Sequence, residues 1–258
     1  MRCLTLAVGI LGFVFLTWTP LPRAAAADQA AKPMPQDSVG QSKEAITAPG
    51  TPVYKPPKRG VPSGRIGGGT RGSGDNAAII SVLAPDHVGL TTQEQPTLYW
   101  YISKPTTDPV ELAIIHYQGG QQSATLVEMR IPLPVQAGVQ RIRLADYGVH
   151  LAPGGQYQWF VTIAAKAGHR SRDIVAGGFI ERVMLQETIQ AQLAQSSKAG
   201  STNILAESGI WYDAIMSISE QIDAAPGNVG LRRQRAALFQ QVGLAEVAEY
   251  ELSRSRGE

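Results

Sequence analysis

The sequence predicts a protein of mainly β plus α structure, in which a β-sandwich precedes a small helical domain. Three observations support this prediction. Residues 77–183 alternate apolar and polar side chains with a period of two, and turn residues interrupt them about every dozen positions. After residue 183 the apolar residues recur every three or four positions, as in amphipathic helices. Residues 28–74 contain seven prolines, nine glycines and no Leu, Phe or Trp, so they are expected to add nothing to a core.

The first 27 residues have the layout of a secretory signal peptide. Arg2 precedes the apolar run from Leu4 to Trp18, Pro20 ends that run, and the small residues Ala24 to Ala27 follow. A membrane anchor needs about 20 apolar residues and this run is shorter, so a cleaved leader is expected and a retained anchor is the alternative. We therefore expect cleavage after Ala27 and export to the periplasm or the extracellular space.

Residues 28–74 are predicted to form a disordered Pro/Gly-rich arm, because burial there cannot offset the entropy of ordering. The last part of the arm is basic and rich in glycine. No lysine follows its glycine run and no strand precedes it, so it is no phosphate loop. The segment is either a solvated linker or a binding segment for an acidic partner, with these candidate binding residues: Lys58, Arg59, Arg65 and Arg71.

Residues 75–183 are predicted to form the β-sandwich domain. In the first clear strand, Leu98, Trp100 and Ile102 share one face, and Tyr99 and Tyr101 share the other. Gly119-Gly120 is a natural hairpin turn between two later strands. The same alternation continues in the neighbouring segments, through Val110, Leu112, Ile114, Ile142 and Leu144.

The most specific local signal is the stretch from Leu151 to Tyr157, which leads into Trp159 and Val161 at a spacing of two. It is similar to the tyrosine corner of Greek-key sandwiches, in which a tyrosine bonds back to the chain before its own strand. Together with an inward Trp100, it predicts an immunoglobulin- or fibronectin type III-like sandwich. The expected structural residues are Trp100, Tyr157, Trp159 and, from the helical region, Trp211.

Residues 184–258 are predicted to form a helical hairpin domain packed on the sandwich. Apolar stripes run through Leu185, Ile189 and Leu193, then from Trp211 to Ile222, and a turn follows at 226–228. At an offset of 34 residues the sequence around Gly209 aligns with that around Gly243, which is the tetratricopeptide period. The next two helices are shorter. Their charged residues are expected to be solvated, namely Arg232, Arg233, Arg235, Glu246, Glu249 and Glu251.

Taken together, four segments resemble the signature of an uncharacterised exported bacterial family, domain of unknown function nine hundred and twenty-eight. They are Tyr54 to Gly60, Gly67 to Gly72, Pro96 to Tyr101 and Gly209 to Ala214. The resemblance implies exported proteins, frequent in photosynthetic bacteria, without an assigned activity. This chain has Ser73 near the place where some members carry a cysteine, so no disulfide of those relatives can be carried over.

The sequence carries no recognisable catalytic or metal-binding motif. Cys3, the only cysteine, lies in the predicted signal peptide. The histidines are scattered without the spacing of a zinc site, and there is no nucleophile elbow. We therefore predict a protein that is not an enzyme and needs no cofactor or metal. An unrecognised hydrolase stays open, because distant loops can assemble a site without a local motif.

Charge excludes some partners. The chain has 23 basic and 21 acidic residues, and removal of the leader takes away Arg2 and Arg23, which leaves 21 of each. A neutral chain has no long-range field toward nucleic acid or an anionic membrane. We expect no nucleic acid partner and no membrane span after signal removal.

Exposed aromatics are the remaining lead. Tyr99, Tyr101 and Tyr117 could form a platform on a sheet face for a glycan ring or a protein. The alternative is that the C-terminal helices cover that face, with Trp211 and Tyr212 as the contact. We predict a protein-interaction or adaptor module at the cell envelope, whose partner is an envelope or secreted protein. A carbohydrate- or cell-wall-binding module that uses the tyrosine face is the alternative.

Overall fold

The computed structural model describes residues 50–58, 64–67, 78–118, 121–164 and 173–256. The predicted signal peptide, the first part of the predicted arm, and Arg59, Arg71 and His169 lie outside these ranges. Within them the chain has eight strands: β1 (Ile80–Val82), β2 (Gly89–Thr91), β3 (Thr97–Ile102), β4 (Val110–Gln118), β5 (Gln121–Ile131), β6 (Gly138–Arg143), β7 (Gln156–Ile163) and β8 (Ile174–Arg182). The helices follow: α1 (Glu187–Gln195), α2 (Lys198–Glu207), α3 (Trp211–Ala224), α4 (Val229–Gln241) and α5 (Ala245–Arg256).

The described strands form two sheets, so the predicted mixture of β and α structure is confirmed. The three-stranded sheet has the order β1-β3-β6, and the five-stranded sheet has the order β2-β8-β7-β4-β5. All pairings are antiparallel except that of β2 with β8, which is parallel. Consecutive strands β3 and β4 therefore lie in different sheets.

The inward side chains of both sheets make one core with the helices. Trp100 of β3 and Trp159 of β7 are fully buried, as are Leu98, Ile102, Leu112 and Ile114 on the same faces of their strands. This is the alternation that the sequence predicts. The cluster continues without a break into α3 and α4, and all described residues belong to one compact unit.

The helices form where apolar stripes meet capping residues. Ser197 caps α2 by accepting the Gly200 N–H, and Asn228 caps α4 by accepting from Gly230 and Leu231. Helix α3 is the central one, with Ile215, Ile218 and Ile222 buried. Helix α2 packs against α3, and α4 against α5.

Three successive residues at the start of α3 attach it to the β structure. Trp211 Nε1 donates to the Leu83 carbonyl at 2.8 Å. Tyr212 Oη donates to the Phe179 carbonyl and accepts from Trp159 Nε1, both at 2.9 Å. Asp213 accepts from Thr91 and Thr92. The bonds are directional and buried, so they fix how α3 lies against both sheets.

Residues 50–58 and 64–67, here called the strap, are bonded to the helices and the sheet. The Lys55 N–H donates to the Ala206 carbonyl at 3.1 Å, and Ile66 exchanges two backbone bonds with Gly177. Gly209 has φ +76° and lies so close that a Cβ would come within 2.9 Å of the Lys55 carbonyl oxygen. The prediction of a disordered arm over all of 28–74 is therefore wrong for the strap. Composition misled the prediction, because Tyr54, Arg65 and backbone bonds hold the segment although it contains no Leu, Phe or Trp.

Candidate functional site

The predicted tyrosine platform is not an exposed surface. Tyr99 and Tyr101 are each 5% exposed, because the C-terminal helices lie over that face of β3. The covering residues are Ser219, hydrogen-bonded to the Tyr99 hydroxyl, and Tyr250, whose ring lies 5.2 Å from that of Tyr101. Burial raises the pKa of Tyr101 to about 12. The prediction of an exposed platform is therefore wrong, and the other interpretation, in which the C-terminal helices cover this sheet face, is the one that the structure shows.

Tyr117 does not join the other two tyrosines either. It lies on β4, in the five-stranded sheet, whereas Tyr99 and Tyr101 belong to the three-stranded sheet. Its half-buried ring packs edge-on against Phe179 at 5.4 Å. The covering contact also differs from the expected one, because Trp211 and Tyr212 bond to Leu83 and Phe179.

The two described members of the predicted basic segment have different surroundings. Lys58 is exposed. Arg65 is half-buried and donates to three backbone carbonyls, those of Ala84 at 2.9 Å, Val242 at 3.1 Å and Gly243 at 3.2 Å. Arg65 thus connects the sheet to the α4–α5 turn, and its guanidinium is not free for an acidic partner.

The predicted structural residues are all buried. Tyr157 Oη accepts the Ala152 N–H at 2.9 Å, and its ring lies beside His116. Trp211 is fully buried, and Tyr54 of the strap packs edge-on against it at 4.9 Å. Burial raises the pKa of Tyr54, whose hydroxyl is 2.9 Å from His87 Nε2.

The described histidines have local partners. His116 Nδ1 is 3.1 Å from Ser123 Oγ, and His150 Nδ1 is 2.8 Å from Glu94 Oε1. Across the described ranges, no three His, Cys, Asp or Glu side chains converge to hold a metal ion. No helix in those ranges is long and apolar enough to cross a membrane.

A recess of about 640 Å³, here called the apolar groove, lies among α1, α2, α3 and the start of α4. Its α3 side follows one helical face, from Asp213 through Met216 and Glu220 to Ala224. The loop after β2 contributes Thr92 and Gln93. The remaining apolar lining comes from Leu185, Leu193, Leu205, Ala199, Ala225 and Leu231.

Helix α1 covers this groove poorly. None of its residues is fully buried, and Ile189 and Leu193, from the predicted stripe, are half-buried at the edge of the core. By contrast, Ile215, Ile218 and Ile222 of α3 are buried. Leu193, Met216 and Leu231 thus present partly exposed apolar surface into one recess.

Asp213 lies at the bottom of the groove, and structural bonds occupy its carboxylate. Its Oδ1 accepts from Thr91 Oγ1 at 2.5 Å, and its Oδ2 accepts from the Thr92 N–H at 3.1 Å and from the Thr92 hydroxyl. Burial raises the pKa of Asp213, and these bonds oppose the increase. The other charges of the groove are the exposed Lys198 and Glu220, of opposite sign.

A second recess, of about 410 Å³, is here called the arginine cleft. It lies between β6, α3, α4 and α5. Arg235 and Glu251 are buried at its base, with Arg235 Nη2 2.6 Å from Glu251 Oε1 and Arg235 Nη1 3.0 Å from Ser219 Oγ. The lining also includes Tyr99, Arg141, Asp223, Arg232, Tyr250 and Arg254.

Comparison with known proteins gives one family. The family model described as Domain of Unknown Function (DUF928) matches residues 66–252. The chain belongs to the DUF928 family. No curated protein matches it. A crystal structure of a multi-domain immunophilin from Arabidopsis thaliana is similar over 78% of this chain and 99% of the immunophilin chain. The sequence identity is 9% and the TM-score is 0.18. At that TM-score the likeness supports no inference about fold or function.

The cleft of this DUF928 chain was missed by sequence reasoning, which placed Arg232, Arg235 and Glu251 on solvated faces. Arg235 and Glu251 are buried instead. The signal was present in the spacing. Arg235 falls at i+4 from Leu231 and three before Leu238, inside the apolar stripe of α4. Glu251 falls three and four residues after Ala248 and Val247 in the stripe of α5. A charged residue in an apolar stripe of each of two neighbouring helices indicates a buried ion pair.

Proposed function

We propose that this chain is an exported, non-catalytic protein-interaction module of the cell envelope, which binds an uncharged apolar segment of a partner protein in the apolar groove. The observation that carries the proposal is the set of partly buried apolar side chains that three helices present to the groove, Leu193 of α1, Met216 of α3 and Leu231 of α4. Apolar side chains that a chain leaves partly uncovered around a concave recess are a common feature of peptide-binding sites.

Export is supported by the leader pattern. The short apolar run before Ala24 to Ala27 favours cleavage after Ala27 rather than retention as an anchor. The mature chain would begin at Asp28 and act in the periplasm or outside the cell. The resemblance to exported bacterial proteins points the same way.

The order of the strands supports an immunoglobulin- or fibronectin type III-like sandwich. Strands β1, β3 and β6 would correspond to A, B and E, and β4, β7 and β8 to C, F and G. Tyr157 at the start of β7 would then be the tyrosine corner of strand F, bonded to Ala152. Folds of this kind commonly serve as binding scaffolds, though the fold alone names no partner.

The helices support a tetratricopeptide-like arrangement. The pairs α2–α3 and α4–α5 are successive hairpins, and Gly209 and Gly243, 34 residues apart, each precede the second helix of a pair. The apolar groove lies beside the first pair. Fewer than three repeats make a small cap rather than an extended solenoid.

The chemistry of the groove selects its occupant. Asp213 is buried with both oxygens bonded, and the exposed charges of the groove, Lys198 and Glu220, have opposite signs, so the groove presents no net exposed charge to an ionic ligand. Leu193, Met216 and Leu231 offer apolar contact, and a methionine adapts to different side chains. Asn228 also lies in the lining; its side-chain oxygen caps α4, so its side-chain N–H groups are the ones that could donate to a peptide backbone.

A displayed library of 16-residue peptides, selected on the purified mature chain, tests this function. We expect enrichment of peptides with two or more large apolar residues. Leu193→Glu should weaken their binding at least tenfold, because a carboxylate would be desolvated on binding. Gln192→Glu is the matched control, since it adds the same charge at the preceding, exposed position of α1, outside the groove lining.

The control should bind as tightly as the wild type. Two results would contradict the proposal: enrichment of no common peptide class, or equal loss of binding in Leu193→Glu and Gln192→Glu. Thermal unfolding of both variants verifies that each is folded before binding is compared.

A further inference from the structure

We propose that the arginine cleft is a binding site for a small dianion, a phosphate monoester or a dicarboxylate. The cleft is separate from the apolar groove and is made by different surfaces of α3 and α4, together with β6 and α5. It concentrates positive charge in a chain that is nearly neutral overall.

The charge count of the cleft calls for a doubly charged ligand. Four guanidinium groups and two carboxylates line it, which leaves a formal excess of two positive charges. The carboxylates already have partners, because Asp223 is paired with Arg141 and Glu251 Oε1 accepts from Arg235. Arg254, exposed at the entrance, has no acidic partner of its own among the residues that the structure describes.

The base of the cleft contains an unused donor. Arg235 is 6% exposed and directs Nη1 to Ser219 and Nη2 to Glu251, but its Nε–H has no hydrogen-bond partner in the described part of the chain. Buried donors are nearly always paired, and Arg235 is one of the residues that line the cleft, so its guanidinium lacks one acceptor there. An oxyanion would supply it.

The neighbouring groups are the donors that an oxyanion needs. Burial raises the pKa of Tyr99, so its hydroxyl stays protonated and can donate. Tyr250 also lines the cleft, and the hydroxyl end of its ring lies against Gly138. Arg232 Nη1 lies 3.6 Å from Glu251 Oε2 and Nη2 donates to the Pro226 carbonyl at 3.5 Å, and a guanidinium has five N–H groups, so others remain for a ligand. Guanidinium groups bind carboxylate and phosphate through paired bonds that lysine cannot reproduce.

Stability alone does not explain the charges at the base. A buried ion pair contributes no more to folding than well-packed apolar residues of the same volume, and often less. Leucine or methionine in place of Arg235 and Glu251 would continue the apolar stripes of α4 and α5. The volume of about 410 Å³ also exceeds that of a single phosphate or carboxylate group, so it leaves room for the organic part of a ligand.

Isothermal titration calorimetry at 0.15 M salt tests the site, with inorganic phosphate, succinate and acetate as probes. We expect phosphate or succinate to bind to the mature chain at one site and acetate to bind at least tenfold more weakly. Arg254→Ser should weaken the dianion at least tenfold, because it removes an exposed guanidinium at the entrance. Arg233→Ser should leave the affinity unchanged, since this exposed arginine of α4 lies outside the cleft lining.

The outcomes separate the explanations. Binding of phosphate alone, or of succinate alone, supports the proposal and identifies the chemistry of the ligand. Absence of heat with either dianion up to 10 mM, roughly 100-fold above an affinity of about 0.1 mM, would overturn it. Equal weakening by Arg254→Ser and Arg233→Ser would also overturn it, because the effect would then be one of net charge. Arg235→Lys, which keeps the charge but removes Nε–H, should abolish binding if it folds.

Discussion

Asp213 and Glu251 are two buried carboxylates on different helices with opposite surroundings. Asp213 accepts three bonds from neutral donors of Thr91 and Thr92, at the contact of α3 with the β structure. Glu251 is fully buried against the guanidinium of Arg235, and its Oε2 has no hydrogen-bond donor in the described ranges. One carboxylate is satisfied by its neighbours. In the Arg235–Glu251 pair, by contrast, one atom of each residue has no hydrogen-bond partner in the described ranges, Arg235 Nε and Glu251 Oε2.

The difference separates structural polar groups from groups that could serve a ligand. Neutral donors around Asp213 offset its desolvation cost and occupy both of its oxygens, although its side chain lies in the lining of the apolar groove. The Arg235–Glu251 pair carries full charges into the protein, at a larger desolvation cost, and faces an arginine-lined cleft. The number of bonds made, rather than burial itself, distinguishes the two roles.

The largest effect is expected when the charged pair is broken. Arg235→Ala should lower the free energy of unfolding by about 3–5 kcal/mol, because Glu251 would be left buried without its closest cation. Urea unfolding measures the change. Arg235→Met combined with Glu251→Leu should recover stability to within about 1 kcal/mol of the wild type.

That double variant also sharpens the comparison, because it should lose dianion binding while it keeps its stability. If the double variant were as unstable as Arg235→Ala, the pair would be a structural requirement like Asp213, and the contrast between the two carboxylates would fail.

A smaller loss is expected at the neutral network. Asp213→Asn should lower the free energy of unfolding by about 1–3 kcal/mol, because an amide cannot accept all three bonds from Thr91 and Thr92. Urea unfolding measures this loss of stability. Asp213→Ser should also be less stable than the wild type. A loss below about 0.5 kcal/mol would mean that the α3 contact does not depend on this carboxylate.

The smallest effect is expected at the rim of the arginine cleft. Asp223, about half exposed, pairs with Arg141, and Asp223→Asn should change the free energy of unfolding by less than about 1 kcal/mol. The difference should shrink further as salt is raised from 0.05 to 0.5 M. A change as large as that in Arg235→Ala would contradict the division between buried and exposed pairs. Because one negative charge is lost, Asp223→Asn should bind the dianion at least as tightly as the wild type.

The sequence predicted those features of the fold that depend on side-chain period. The alternation around Trp100 and Trp159 predicted which faces of β3 and β7 lie in the core. Apolar residues spaced three and four positions apart predicted the helices α1, α3 and α4. The strap was not predicted, because its order comes from hydrogen bonds of Tyr54, Arg65 and Ile66 to residues distant in sequence, which composition does not reveal.

The candidate sites were less predictable, for a physical reason. Period two assigns Tyr99 and Tyr101 to one face but does not say whether another layer covers that face. The cleft requires Arg141 of β6 to meet Arg235 and Glu251, residues far apart in sequence that only the packed fold brings together. Part of the cleft could be predicted from local sequence, because Arg235 and Glu251 each interrupt the apolar stripe of their own helix.

Site-specific photocrosslinking in cells tests the central claim, an exported chain that holds a partner protein in the apolar groove, most directly. A photoreactive amino acid is placed at Met216, in the groove, or at Gln240, exposed on α4 and outside the groove lining. After irradiation, the envelope fraction should contain one discrete protein adduct from position 216 and none from 240, and its chain should begin at Asp28. Absence of a protein adduct at 216, the same adducts at both positions, or an adduct whose chain begins at Met1 would contradict the account.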